Sequence, residues 1–283
     1  MNGWWIDPGK SPYSPRASYL CSKLSILATT PVHIRLRHLH CHRESSRWRA
    51  TQPYMWNIFF RIDASCVHLT EQFDLVGEAD FFFSPGSHGN LGVMAVRPGS
   101  VTLIPPEVGH WDCTLTPIPV PFFNYEVPPL LGVITVLMEQ ENVSARGAEA
   151  GHQALNRYVQ EAVNQAIRDF HVREIDVENI HDSIKAYFSR RVEAFVHGIE
   201  DAVGLAVRQA QTVWQNLWSL IDQDDLVGYE VRDLSLAEIE AAGGQVELHL
   251  RWDTPSCGDW ELWGYVGLGD DPEPPPRQVE IEG

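Results

Sequence analysis

Apolar and polar residues alternate from Val32 onward. Val32, Ile34 and Leu36 are separated by His33, Arg35 and Arg37, the period of a half-buried strand. A polar loop over residues 43–52 follows. Residues 54–62 are aromatic and β-branched, and read as a second strand. Short apolar runs then continue to residue 136, among them Phe81-Phe82-Phe83 and residues 101–104. Pro85-Gly86, Gly89-Asn90, Pro98-Gly99 and Pro105-Pro106 break them. Many short strands with such turns predict a sandwich or barrel. The proline-rich stretch 117–129 reads as a loop or edge, and residues 131–138 as a buried strand. After Asp222 the strand signals return. Residues 229–234 form one candidate. Val246, Leu248 and Leu250 alternate after the Gly243-Gly244 turn, and Trp260, Leu262 and Gly264 alternate with Glu261 and Trp263.

Between these strand-rich parts the period changes. From Ser144 to about residue 221 there is no proline, and Ala, Glu, Gln and Arg are abundant. Leu155, Val159, Ala162 and Ala166 lie on one helical stripe. After a break near His171, Asp176 reads as a cap for a longer helix. Its stripe runs through Ile180, Ile184, Phe188, Val192, Phe195, Ile199 and Val203, then Ala206, Ala210, Val213 and Leu217. Two helices that each carry an apolar stripe must bury it. The expectation is an antiparallel hairpin packed on itself, on the sheet or on another chain.

Composition narrows the classes. With 283 residues and 44% hydrophobic content, a sizeable core can form. A net charge of -17 argues against nucleic acid as a partner, because a phosphate-binding surface is basic. The apolar stretch 130–138 is far too short to span a bilayer as a helix, so no transmembrane segment is expected. The 5 cysteines are scattered, without a CxxC pair. They suggest neither a disulfide scaffold nor a cysteine zinc knuckle, and a reducing, cytoplasmic setting is the simpler reading. Residues 1–30 read as a disordered extension, and the acidic, proline-rich residues 269–283 as a flexible tail.

The run Asp222-Gln223-Asp224-Asp225-Leu226-Val227-Gly228 resembles the D-x-D-D-x-hydrophobic-G run that closes the third calcium loop of C2 domains. That family's preceding strand ends in an acidic pair. Here the strand over 133–138 is followed by Glu139-Gln140-Glu141. Val32-Ile34-Leu36, a polar loop and Gln52-Pro53-Tyr54 are similar to the family's first strand, first loop and start of the second strand. The likeness loosely covers residues 31–142 and 222–268. It implies an α+β chain: a C2-like antiparallel β-sandwich with an α-helical hairpin, residues 143–221, inserted in the third loop. The departures bear on function. The loop over 44–52 lacks the family's Asp ligands, Gln52 stands where an Asp would precede Pro-Tyr, and Glu139 and Glu141 replace Asp. Calcium takes six to eight oxygen ligands, so the resemblance implies only weak calcium binding, by Glu139, Glu141, Asp222, Asp224 and Asp225. The ordinary alternative is an acidic turn beside a helix end.

A second candidate is independent of the resemblance. His38, His40 and His42 alternate, so on a strand all three share one face. An H-x-H pair can ligate zinc, with His88, His110 or Asp112 completing the set and a metal-activated water doing hydrolytic chemistry. With 12 histidines in the chain, a chance cluster at a strand end is the plainer reading. Ser87-His88 lacks a nucleophile-elbow context and reads as a tight turn. Trp214 and Trp218 could touch lipid, but at helical spacing they read as core. The functional expectation is a non-enzymatic binding module docking on a protein or a peripheral membrane surface, with weak calcium dependence and self-association through the hairpin. The rivals are a zinc-dependent hydrolase and a membrane-active or pore-forming protein whose hairpin swings out.

Overall fold

The computed structural model describes residues 28–44, 52–72, 74–93, 95–122, 126–140, 144–169, 226–255, 257–269 and 271. Glu141, Asp222, Asp224 and Asp225 lie outside them, as does the stripe expected from Ile180 to Leu217. Strands dominate, and their pairing is antiparallel. One sheet is built from β1 (Thr30–Arg43), β6 (Val101–Leu103), β7 (His110–Leu115), β12 (Gln245–Thr254) and β13 (Gly258–Leu268). Its order is β12-β13-β1-β6, with β7 also pairing β1. A second sheet has the order β11-β10-β2-β5. Its strands are β2 (Pro53–Ile62), β5 (Asp80–Phe83), β10 (Leu130–Glu139) and β11 (Leu226–Ser235). Two small hairpins pair β3 (Val67–Leu69) with β4 (Leu75–Gly77), and β8 (Ile118–Pro119) with β9 (Glu126–Val127). Both sheets join strands from the two ends of the chain, because β13 pairs with β1 and β11 with β10.

The β10 strand shows why its sequence is a nearly unbroken apolar run. Every residue in it is buried, the pattern of a strand covered on both faces. Leu131, Val133 and Leu137 share a core with Ile34, Leu36 and Leu39 of β1 and Leu250, Leu262 and Val266 of β12 and β13. That core draws on both sheets, an arrangement compatible with a β-sandwich. The opposite residues of β10, Ile134, Val136 and Met138, join a second core with Tyr54, Trp56, Ile58 and Phe60 of β2. Each such buried side chain contributes roughly 1.5–3 kcal/mol relative to exposure.

The second core is closed by α2 (Ala145–Arg168). Two shorter helices, α1 (Pro106–Gly109) and α3 (Leu236–Ala241), complete the described helices. The Ser144 side chain caps α2 by accepting from the Gly147 backbone N–H. The buried stripe is Leu155, Val159, Val163 and Ile167. The C-terminal half of the expected stripe widens: a four-residue step from Val159 buries the larger Val163 and Ile167, and Ala166 packs partly buried beside them. Asn164, also buried, accepts from the Ala79 backbone N–H at 2.9 Å. The segment 140–225 links two hydrogen-bonded neighbours, since Met138 pairs with Leu226. No described helix is long and apolar enough to cross a membrane.

Candidate metal centre

The histidine row owes its position to a bulge. Val32, Ile34 and Leu36 point into the shared core, and so do Leu39 and Cys41. The inward phase thus switches from even to odd numbers between Leu36 and His38, where the β1–β13 register shifts. Without that extra residue, an unbroken two-residue period would bury His38, His40 and His42. With it, they stand on the outer face. The close approach needs Gly264 opposite Leu36: a Cβ there would lie 2.5 Å from the Arg35 carbonyl oxygen and 3.0 Å from the Leu36 Cα.

Opposite this row, β13 turns Trp260 and Leu262 inward and Glu261 and Trp263 outward. His40 lies directly across from Glu261 and His38 across from Trp263. The ligand atoms of His40, His42 and Glu261 all fall within 4.8 Å of one another. The two imidazole rings are 4.0 Å apart between centroids. The Nε2 of His42 donates to Glu261 Oε2 at 2.7 Å. On the far side, His249 of β12 donates from Nε2 to Glu261 Oε1 at 2.5 Å. The His42 side chain is 30% exposed and that of Glu261 13%, so the cluster is shielded yet reachable from solvent.

Burial would push the Glu261 carboxyl up. Hydrogen bonds from His42, His249 and Trp263 outweigh it and hold the group down at about 2. Glu261 is therefore an anionic donor at any ordinary pH. The neighbouring cation is engaged elsewhere. Arg251, paired in register with Glu261, grips Asp259 through two hydrogen bonds of 2.9 and 2.7 Å. His38 is held toward its neutral form, by burial first and by Arg37 and His40 next, while Glu261 opposes them. Its ring stacks on Trp263, with centroids 6.3 Å apart.

Two imidazoles and one carboxylate form a donor set for a transition-metal dication of the zinc type. A tetrahedral ion with bonds of about 2.1 Å spaces its donors about 3.4 Å apart. The His42–Glu261 pair, 2.7 Å apart, would open by less than an ångström to admit one, and His42 would give up the Nε2 proton it donates to Glu261.

The other sequence candidates are placed elsewhere. His110 and Asp112 sit on β7, opposite Arg35 and His33 of β1. Asp112 pairs there with Arg35 at 2.6 Å. Asp271, from the stretch read as a flexible tail, holds the other side of that guanidinium at 2.6 Å. His88 packs edge-on against Tyr54 in the second core region. Glu139 is buried at the end of β10, opposite Pro53. Glu261 and His249 are donors that no sequence motif marks. Their signal was the in-out alternation of β12 and β13, which becomes useful only once the pairing with β1 is known. Comparison with family models, with curated proteins and with solved structures returned no match, so the reading of this site rests on its own geometry.

Proposed function

We propose that this chain is a β-rich, non-enzymatic binding module whose docking surface is the open outer face of the β12-β13-β1 sheet, where His40, His42 and Glu261 take up one divalent transition-metal ion. The observation that carries the reading is the convergence of these three side chains within 4.8 Å on rigid, paired strands. Sites built on strands hold their donors more tightly than sites on loops. Exposed Val101 and Leu103 on β6 border the same face, paired with His40 and His38. They would add apolar contact for a protein or a peripheral membrane surface.

The fold reading belongs with this proposal. Two antiparallel sheets sharing one core, and a long helix-bearing connection between β10 and β11, support a C2-like β-sandwich with an inserted helical segment. The calcium reading has one described residue, Glu139, and the imidazole donors of the β1 cluster suit a softer ion than calcium. Self-association through the helical hairpin and outward swinging of that hairpin both depend on residues outside the described ones.

Equilibrium dialysis against buffered zinc, followed by elemental analysis, tests the metal reading. One equivalent retained by the wild type, and lost in His42→Ala and in Glu261→Gln, is the expected result. Equal retention in all three proteins would remove the site. A zinc-dependent hydrolase is the second reading, favoured because three donors among the described residues leave a coordination position for water. Chelator-sensitive hydrolysis of a nitrophenyl ester, lost in the same variants, would select it. Absence of any metal-dependent turnover would reject it.

A further inference from the structure

Resting on the metal reading just given, we infer that His249 is the positioning residue of this centre: it fixes Glu261 as a one-oxygen donor and thereby keeps a coordination place open toward solvent. The two carboxylate oxygens have different partners. Oε2 faces His42 and lies on the side of the His40–His42 pair, whereas Oε1 accepts from His249 at 2.5 Å. An oxygen that already accepts a hydrogen bond from a fixed imidazole is a poor second metal ligand, so Glu261 binds through Oε2 alone. Such outer partners commonly orient the donors of metal sites.

His249 is itself held in place. Its ring lies against Trp263, with centroids 3.9 Å apart and planes 15° from parallel. Trp263 is backed on its other side by His38. The stack fixes the ring, and with it the direction of the Nε2–H toward Glu261. Trp263 also donates to that carboxylate, while the neighbouring cation, the Arg251 guanidinium, is drawn away by Asp259. A bidentate arginine would have occupied both oxygens and closed the site. Among the described residues the site therefore has three donors, which leaves a fourth place for water or for one oxygen-donor ligand of a docking partner.

Cobalt(II) titration with visible absorption tests this, using the full chain, His249→Ala, His249→Gln and, as a control for the site itself, His42→Ala. The His249 side chain is 43% exposed, so neither substitution at that position threatens folding. The Gln amide can keep a donor on Glu261 Oε1. The expected result is a weakening of cobalt binding by about 10- to 100-fold in His249→Ala. In His249→Gln, affinity should return to within a few-fold of wild type with an unchanged absorption band. Wild-type affinity in His249→Ala would overturn the positioning role. So would an altered band together with lost affinity in both variants, because that marks His249 as a ligand in its own right. No cobalt uptake by the wild type would overturn the metal reading and this inference together, and is distinguishable from the other two outcomes.

Discussion

The outer faces of the two sheets have the same backbone geometry and opposite fates. The outer face of the β2–β10 pair is apolar: Tyr54, Trp56, Ile58, Ile134, Val136 and Met138 lie under α2. The outer face of β12, β13 and β1 instead carries the polar and aromatic side chains of His249, Glu261, Trp263, His40 and His42. Even the histidines differ. His152 of α2 is buried at 3% exposure, stacked flat on Trp56 at 5.3 Å, while His42 reaches solvent. A covered face selects for volume and apolar contact. An open face tolerates polar side chains that need partners, and a row of such partners is what a metal can use.

The largest contrast should come from the two tryptophans. Trp56 is fully buried, and its indole N–H donates to the Ser87 hydroxyl at 3.2 Å. Trp56→Ala is expected to cost about 3–5 kcal/mol in urea unfolding. Trp263→Ala, on the open face, is expected to cost about 1 kcal/mol, the scale of a cross-strand pair. Similar losses would mean that the open face is covered after all.

Acid should expose a smaller difference between the same regions. Burial holds His152 below its ordinary value, although Glu149 and a hydrogen bond to the Gly86 carbonyl oppose it. A histidine kept neutral in the folded state contributes stability that is fully present above the unfolded value of about 6.5 and lost as pH falls through the lower folded value. His88, His110 and His38 are shifted the same way, with burial the first cause in each. Glu261, by contrast, contributes above its ordinary range and fades only as pH approaches about 2. Thermal stability should therefore begin to fall as pH drops below about 6.5, and His152→Phe should flatten part of that slope. An unchanged slope would show that His152 is not strained by protonation.

Much of this contrast was written in the sequence. The run from Leu130 to Met138 announced a strand buried on both faces, and the alternation in 246–250 and 260–264 announced strands with one polar side. The phase switch in β1 was also legible, since Leu39 and Cys41 continue the apolar series one residue out of step with Val32, Ile34 and Leu36. Helix α2 is legible from Ser144 onward, but Ala162 and Ala166 fit the period as well as Val163 and Ile167, and only packing shows that the larger pair is fully buried while Ala166 lies partly buried beside it. Glu261 and His249 could not be chosen as donors from sequence. They lie more than two hundred residues from His42, and only the β12-β13-β1 pairing makes them neighbours. The acidic set beside β10 is a different case: of its five residues, only Glu139 is among those described.

Imidazole nitrogen shifts report, residue by residue, where a metal goes. Protein carrying 15N-histidine, titrated with zinc and followed by long-range 1H–15N spectra, should show His40 and His42 moving together and saturating at one equivalent. The buried His152 and the exposed His68 should stay where they were. Movement spread over the exposed histidines without saturation, or no movement at His40 and His42, would contradict the account.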